Sequence, residues 1–312
     1  MGKIDSLTKQ YLAQKDVFAD AFNYYLFNGE QVIKPEDLKE QDPTEIAIIH
    51  KYGKVFPNQK MRDVLKLCTI RHSGFATLIL LGIEAQANIH YWMPVRDYLY
   101  DALTYAAQVE EIRKKHEDAK DLNNPAELLS GFKRRDTLVP VITLCICFDK
   151  AKWNAPRSLY DMFGRVDPRI KQYVDDYHLN LITPGEIKDF SKFASELGIV
   201  LEVIKKSDDK KGLGDIIMSQ EKYRSVDLRT VDLINAYTTT NISTKNAEGG
   251  KIDLGNAFQE LQEDWRAEGR REYHEKIIDF IKKQQASGVS SDEILQEIIT
   301  KPSRKTHSQL KR

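Results

Sequence analysis

A pair of strand-like segments joined by a short turn constrains the fold of this chain more than any other feature. The first segment covers Met61–Ile70 and the second covers Phe75–Gln86. The four residues between them, Arg71–Gly74, form a turn signal between two runs that favour strands. The sequence therefore predicts an antiparallel hairpin.

The turn decides which residues of the two strands face each other. A two-residue loop places His72 opposite Phe75, and a four-residue loop gives the same register. In that register Asp63 lies opposite Glu84, with Cβ atoms roughly 4.5–5.5 Å apart. Because side chains alternate between the faces of a strand, Gln86 then shares the face of both acids. A three-residue loop would shift the register by one residue and move Glu84 to the other face.

Two directly opposed carboxylates repel each other unless a cation lies between them. Oxygen ligands of this kind suit Mg²⁺, which takes one or two protein carboxylates and keeps several waters. Asp63 and Glu84 could instead be solvated residues of the surface and of a sheet edge. Glu84, however, directly follows the apolar stretch Phe75–Ile83, an unusual position for a charge without a role.

Helical and strand-like patterns flank the hairpin. The spacing of apolar residues predicts helices over Tyr11–Asn28 and Met93–Lys114, and Leu138–Phe148 is typical of a buried central strand. The order helix, hairpin, helix, strand indicates a mixed α/β domain, for which we expect residues 1–184.

The rest of the chain has a helical character. Residues 185–245 are expected to form a helical extension of the same domain, with helices at Glu186–Leu197, Gly214–Tyr223 and Ser225–Ala236. Residues 246–312 are expected to form a C-terminal helical tail. Its charged helix, Leu254–Gln285, is either a dimerisation element or docks on its own domain. Ser290 and Glu293 form a capping-box pattern for a last helix.

The composition and the N-terminal sequence indicate the class of protein and its cellular environment. The 47 basic and 47 acidic residues cancel, which argues against a general nucleic-acid coat protein but leaves room for a nuclease with a local basic surface. Cys145 and Cys147 are typical of small buried side chains in the apolar run Leu138–Phe148. Together with Cys68 they make an odd number of cysteines without a CxxC pair, which indicates a reducing environment. A polar N-terminus and short apolar stretches predict a cytoplasmic protein with no membrane partner.

At five places the chain resembles the recombination-promoting nuclease and transposase family of bacteria, a branch of the PD-(D/E)XK nuclease superfamily. The similar segments follow one another in family order over roughly the first half of the chain, and they are Lys15–Phe27, Met61–Leu65, Leu80–Gln86, Met93–Tyr105 and Trp153–Phe163. The resemblance implies a restriction-endonuclease-like core with a mixed central sheet flanked by helices. It also implies a metal-dependent DNA endonuclease linked to recombination, mobile elements or phage defence.

The resemblance assigns roles to the hairpin residues. Asp63 takes the aspartate position of the superfamily, Glu84 takes its (D/E) position, and Gln86 stands where most members have lysine. Asp63, Glu84 and the backbone carbonyl of Ala85 would hold Mg²⁺ or Mn²⁺, which activates a water molecule for attack on the phosphate. Gln86 can donate a hydrogen bond to that water but brings no charge.

Two further pairs lie one helical turn apart. The resemblance implies that Asp16 or Asp20 is a candidate for a third metal ligand, or for a residue that supports the ligands. The alternative is that both lie on a solvated helix face. Arg96 and Tyr100 could hold a substrate phosphate, unless Arg96 forms a local ion pair with a neighbouring acid such as Asp97 or Asp101. On that helix an apolar stripe is expected to face the core, and it consists of Val95, Leu99, Ala102, Ala106 and Val109.

The main prediction is thus a dimeric, divalent-metal-dependent DNA endonuclease. The rival is the same fold without effective catalysis, which would serve as a DNA-binding or regulatory module. RNA as the substrate also stays open. The basic end, residues 301–312, either touches nucleic-acid backbone or is a solvated terminus.

Overall fold

The fold was analysed in a computed structural model that describes residues 2–40, 63–72 and 75–300. The predicted start of the first strand (Met61 and Arg62), the turn residues Ser73 and Gly74, and the basic end lie outside the described residues. The strands are β1 (Leu38–Glu40), β2 (Val64–His72), β3 (Phe75–Gln86), β4 (Val141–Cys147), β5 (Asn180–Ile182), β6 (Val226–Asp227) and β7 (Lys251–Ile252). The helices are α1 (Lys3–Leu12), α2 (Lys15–Phe27), α3 (Met93–Ala119), α4 (Pro125–Ser130), α5 (Leu159–Met162), α6 (Pro168–Lys171), α7 (Leu197–Lys206), α8 (Lys210–Ser219), α9 (Leu228–Tyr237), α10 (Leu254–Ala286) and α11 (Ser291–Thr300).

A mixed sheet of five strands forms the centre of the molecule, in the order β1-β2-β3-β4-β5. The pairs β1–β2 and β2–β3 are antiparallel, and the pairs β3–β4 and β4–β5 are parallel. Helices accompany the sheet, so the prediction of a mixed α/β domain is confirmed. Strands β6 and β7 form a separate antiparallel pair.

The predicted register of the hairpin is confirmed. His72 pairs with Phe75 at one end of the β2–β3 ladder, and Val64 pairs with Ile83 at the other. Asp63 immediately precedes Val64, so the same register places it opposite Glu84.

Helices cover both faces of this sheet. On one face the buried ammonium of Lys66 lies 5.5 Å from the centre of the Phe18 ring of α2. On the other face the Thr143 hydroxyl of β4 donates a hydrogen bond of 2.5 Å to Asp101 of α3. Because β3 is the middle strand and lies between both helix layers, its residues 79–84 are buried.

The N-terminal region contains two helices where the sequence predicted one. Tyr11 and Leu12 end α1, and α2 begins at Lys15. The predicted stop is confirmed, because Asn28 and Gly29 adopt left-handed backbone conformations with φ of 55° and 94°. Helix α1 itself was not predicted.

The predicted helix over Glu186–Leu197 is wrong. Short 3₁₀ turns occupy Pro184–Glu186 and Phe190–Lys192, and α7 begins only at Leu197. The physical reason lies in side-chain acceptors that take the backbone donors of this segment. Asp189 accepts a hydrogen bond from the backbone of Ser191, and Asp20 binds the two residues that follow Phe193.

Helix α3 buries a different face from the one predicted. Its buried residues are Met93, Pro94, Asp97, Tyr100, Asp101, Thr104 and Ala107. Of the predicted apolar stripe, Val95, Ala102 and Ala106 are exposed, and Leu99 and Val109 are half-buried. Polar residues can occupy the buried face because they find partners there: the Asp101 carboxylate accepts hydrogen bonds from Thr143 and Tyr177.

The chain divides into two compact units, Met1–Gly255 and Asn256–Arg312. The second unit contains most of α10 and all of α11. Its predicted capping box is confirmed, because Ser290 and Glu293 exchange hydrogen bonds between side chain and backbone of 3.4 and 3.2 Å. Within the described part of the chain, no helix combines the length and apolarity needed to cross a membrane.

Candidate active site

Two acidic residues meet at the end of β3. One carboxylate oxygen of Asp63, Oδ2, accepts a hydrogen bond of 2.8 Å from the backbone N–H of Ala85. Glu84 belongs to the same stretch of β3, and its side chain is 1% exposed. The register of the hairpin and the hydrogen bond to Ala85 thus place both acids of the predicted metal pair at one end of the sheet.

Gln86 lies beside Glu84, as expected for residues two apart on a strand. Its Nε2 donates to Glu84 Oε1 at 3.1 Å and to the carbonyl oxygen of Ala85 at 2.9 Å. The amide of Gln86 therefore touches two of the three groups predicted to bind a metal. It contributes hydrogen bonds to the site but no positive charge.

Lys9 supplies a positive charge that the sequence reasoning missed. Its Nζ lies 2.7 Å from Asp63 Oδ1, and the side chains of Lys9 and Asp63 are 18% and 7% exposed. The residue comes from α1, the helix that was not predicted. A helical signal was present, because apolar and packing residues recur at positions Ile4, Leu7, Thr8, Tyr11 and Leu12.

Arg96 reaches Glu84 from α3. Its Nη2 forms an ion pair with Glu84 Oε1, and its Nε donates a hydrogen bond of 3.1 Å to the Tyr100 hydroxyl. Arg96 thus forms an ion pair with Glu84, a carboxylate of β3. Arg96 and Tyr100 lie side by side, and Arg96 connects the Tyr100 hydroxyl to Glu84.

Electrostatics couples these residues further. Burial by itself lowers the pKa of Arg96, but the charge of Glu84 and the bond to Tyr100 outweigh it and raise the pKa above its usual value. Burial raises the pKa of the Tyr100 hydroxyl, and the negative charge of Glu84 raises it further. Arg96 also contributes, after burial, to a lowered pKa of His90, a neighbour that the sequence did not single out.

The two other predicted acids lie elsewhere. Asp20 is buried, and its carboxylate accepts hydrogen bonds from the backbone of Ala194 at 2.9 Å, the backbone of Ser195 at 2.8 Å and the Ser195 hydroxyl at 2.6 Å. Asp16 is exposed on α2. The structure therefore gives Asp20 an anchoring contact to the segment before α7 and leaves Asp16 on a solvated helix face, and it brings neither of them into contact with Asp63 or Glu84.

A cleft of about 260 Å³ opens where β3 and β4 end. Ala87 and Asn88, which follow Gln86, line one side of it, and Phe148 lines another. Tyr237 stacks on Phe148 with ring centres 4.6 Å apart, and its hydroxyl lies 2.9 Å from that of Thr8, the residue before Lys9. Two residues that line the cleft thus follow directly after Gln86 in the chain.

The donor set of this site fits a hard divalent cation. Two carboxylates and a backbone carbonyl are oxygen ligands, and Mg²⁺ or Mn²⁺ completes its coordination shell with water. Among the described residues, no group of three or more His, Cys, Asp and Glu side chains is arranged to hold a metal ion. Lys9 and Arg96 balance the charges of Asp63 and Glu84, the two carboxylates that the sequence predicts as metal ligands.

Comparisons with known proteins add no family to this description: no family model, no curated protein and no solved structure matches the chain.

Proposed function

We propose that this protein is a metal-dependent DNA endonuclease with a PD-(D/E)XK-type core, as the sequence resemblance suggests. The observation that carries the proposal is the connected network at the end of β3. Asp63 binds the backbone of Ala85, Gln86 binds Glu84, and Arg96 links Glu84 to Tyr100. Residues chosen from the sequence for one chemical task therefore lie together at one end of the sheet, where α3 supplies Arg96 and Tyr100.

Each residue has a definite part in the proposed reaction. Asp63, Glu84 and the carbonyl of Ala85 would hold Mg²⁺ or Mn²⁺, which would polarise the scissile phosphate and acidify a bound water. Gln86 would orient that water through its amide. Arg96, with Tyr100 beside it, would hold the substrate phosphate by charge-assisted hydrogen bonds.

The wider setting is part of the same proposal. A bacterial, cytoplasmic enzyme that acts in recombination, mobile elements or phage defence fits the family resemblance, and a homodimer would bring two such sites to one DNA duplex. Sedimentation of the full chain over a concentration series measures the oligomeric state. A mass of one chain at every concentration would remove the homodimer from the proposal.

The decisive experiment is a nicking assay on supercoiled plasmid DNA with Mg²⁺, with Mn²⁺ or with EDTA. Glu84→Gln keeps the size of the side chain and removes its charge, and Asp16→Asn makes the same change at an exposed position. We expect Glu84→Gln to lower the rate at least about a hundredfold, because several kcal/mol of charge stabilisation depend on the cation. Asp16→Asn is expected to nick at the wild-type rate.

Equal rates for wild type and Glu84→Gln, or equal rates with Mg²⁺ and EDTA, would contradict the proposal. RNA of the same sequence, offered in a parallel reaction, tests the choice of substrate. Faster cleavage of RNA would keep the chemistry and replace DNA as the substrate.

A second candidate function is a DNA-binding or regulatory module that keeps the fold without catalysis. The observation that favours it is the charge balance of the site, because Lys9 and Arg96 already neutralise both carboxylates. Mn²⁺ binding separates the two candidates. A working site binds Mn²⁺ and loses the ion in Asp63→Ala, whereas wild type and Asp63→Ala of the second candidate behave alike.

A further inference from the structure

We propose that Lys9 and Arg96 are exchangeable counter-ions: they hold Asp63 and Glu84 in the resting protein and transfer to backbone phosphates when a divalent cation enters. The inference rests on the proposed function, since it concerns the same two carboxylates. It adds a property that the proposed function does not require, namely that metal and nucleic acid bind cooperatively.

Charge counting gives the first reason. Asp63 and Glu84 carry two negative charges, and Lys9 and Arg96 carry two positive charges at contact distance, while the more exposed carboxylate of Asp5 lies 4.0 Å from the Lys9 ammonium. A divalent cation added to this balanced set would face two positive side chains in a partly buried site, where water screens charges poorly. Phosphates of a bound duplex remove that penalty, because they accept the displaced lysine and arginine.

The contacts of Asp63 give the second reason. Its Oδ2 is held by the backbone N–H of Ala85, while Oδ1 faces the ammonium of Lys9 at 2.7 Å. The backbone contact stays in place when Lys9 leaves, so the carboxylate keeps its orientation. Lys9 carries its charge on a flexible four-carbon stem and is partly exposed, so it can turn away without movement of α1.

Arg96 is arranged in a similar way. Its Nη2 contacts Glu84, while its Nε donates to the Tyr100 hydroxyl of the same helix at 3.1 Å. The bond to Tyr100 can hold the side chain near the site after the contact with Glu84 is broken. A guanidinium group offers parallel N–H donors that match two oxygens of a phosphate.

Exchange of this kind makes binding reciprocal. If nucleic-acid backbone raises the affinity for the cation, the cation raises the affinity for backbone by the same factor, and couplings of this type are typically about 5- to 150-fold. We expect about a tenfold coupling in the wild type. In Lys9→Gln one of the two exchangeable charges is missing, so the coupling should fall to about threefold.

The experiment measures Mn²⁺ affinity on the full chain, by the electron paramagnetic resonance signal of free Mn²⁺. Each protein is titrated alone and with a DNA duplex of phosphorothioate linkages, which keep the negative charge and resist hydrolysis. Without the duplex, Lys9→Gln should bind Mn²⁺ more tightly than wild type by about threefold, because Asp63 has lost its competing partner. With the duplex, this advantage should vanish.

Matched variants control for the loss of charge and for folding. Lys3→Gln removes the same charge from an exposed position of α1 and should keep the wild-type coupling. Lys9→Arg restores a cation next to Asp63 and should restore most of the coupling. A thermal melt of each variant shows whether it is folded. If Lys9→Gln is not, Lys9→Met removes the same charge, keeps the length of the side chain and should show the same loss of coupling.

The salt dependence of duplex binding provides a readout independent of metal affinity. With Mn²⁺ present, a phosphate contact made by Lys9 adds about 0.9 to the slope of log affinity against log salt concentration. The slope should therefore be smaller by about one in Lys9→Gln, and unchanged in Lys3→Gln.

The outcomes separate this inference from the proposed function. Mn²⁺ binding that depends on Asp63, together with equal coupling in wild type and Lys9→Gln, overturns the exchange and leaves the nuclease intact. Lack of Mn²⁺ binding in the wild type overturns both. Coupling that is lost in Lys9→Gln and kept in Lys3→Gln supports the exchange.

Discussion

Two acidic residues, Asp20 and Asp63, show how the partner of a buried carboxylate determines what it can do. Asp20 accepts hydrogen bonds from two backbone N–H groups and a serine hydroxyl. Asp63 accepts one backbone N–H and faces the ammonium of Lys9. Backbone donors leave only when the local structure opens, whereas a lysine side chain can turn away. The first carboxylate is an anchor, and the second is one whose counter-ion can be replaced.

The largest effect is expected for Arg96→Ala, which leaves the buried carboxylate of Glu84 without its arginine. Removal of one partner of a buried ion pair costs about 3–5 kcal/mol, so urea denaturation should give a free energy of unfolding lower by about 3 kcal/mol. If the counter-ions of this site are exchangeable, saturating Mn²⁺ should recover part of the loss. A loss of stability that Mn²⁺ does not alter would show that Arg96 is a fixed structural partner of Glu84 and not an exchangeable counter-ion.

Asp20→Ala tests the other side of the comparison. It leaves the backbone N–H groups of Ala194 and Ser195, which are exposed and half-buried residues, without their buried acceptor, and we expect the free energy of unfolding to fall by about 1–2 kcal/mol. Mn²⁺ should not recover any of it, and Mn²⁺ affinity should match the wild type. Asp16→Ala, one turn away and exposed, is the matched control, with an expected change within about 0.5 kcal/mol.

A third arrangement, around His116, responds to pH. The ring nitrogens of His116 lie 2.8 Å from Asp136 and 2.7 Å from Asp121, and the bond to Asp136 followed by the bond to Asp121 raises the pKa of His116. Hydrogen bonds from Lys133, by its side chain to Asp121 and its backbone to Asp136, are the largest cause of the lowered pKa of both carboxyls. The cluster therefore raises the pKa of the histidine and lowers the pKa of the two carboxyl groups.

The sign of the pH dependence follows from these shifts. The histidine contribution to stability is fully present below its unfolded pKa of about 6.5 and is lost as pH rises through the higher folded value. The carboxylate contribution is present above about pH 4 and is lost at lower pH. The difference in melting temperature between wild type and His116→Gln should thus be largest between about pH 4 and pH 6.5. A difference that is constant from pH 5 to pH 9 would contradict this assignment.

The smallest expected effect concerns the three cysteines of the sheet. Burial raises the pKa of Cys68 and Cys147 to about 11 and raises the pKa of Cys145 well above its usual value. At pH 8 a thiol of pKa 11 is about a hundredfold less ionised than an ordinary thiol. A reagent that reacts with cysteine thiolates should therefore label the native protein slowly. Cys145 pairs with Glu84 in the sheet. Faster labelling of Cys145 in Arg96→Ala than in Asp20→Ala would show that Arg96 also limits the access of the reagent to the sheet next to Glu84.

The hairpin could be predicted because its signals were local and consistent. The turn limits the register, and alternation of side chains then places Asp63, Glu84 and Gln86 on one face. The helix stop at Asn28 and Gly29 is equally local, since it depends on backbone conformations that these residues adopt readily. These parts of the fold needed no knowledge of distant contacts.

Other features depend on partners far along the chain. The buried face of α3 carries Asp97 and Asp101, and a sequence pattern cannot show that Thr143 and Tyr177 will satisfy Asp101. The segment after Glu186 does not form a helix because Asp20, more than 160 residues earlier, binds its backbone. Lys9 was missed because its helix was missed, although the spacing of its apolar residues was visible.

The position of Arg96 on a different element from the acids also bears on how the chain folds. The hairpin contains Asp63 and Glu84, and α1 can supply Lys9, but the arginine arrives only with α3. Burial of a carboxylate in an apolar interior is costly unless a positive charge accompanies it, and the Gln86 amide of the hairpin brings no charge to Glu84. We therefore expect docking of α3 and burial of Glu84 to be coupled when the chain folds.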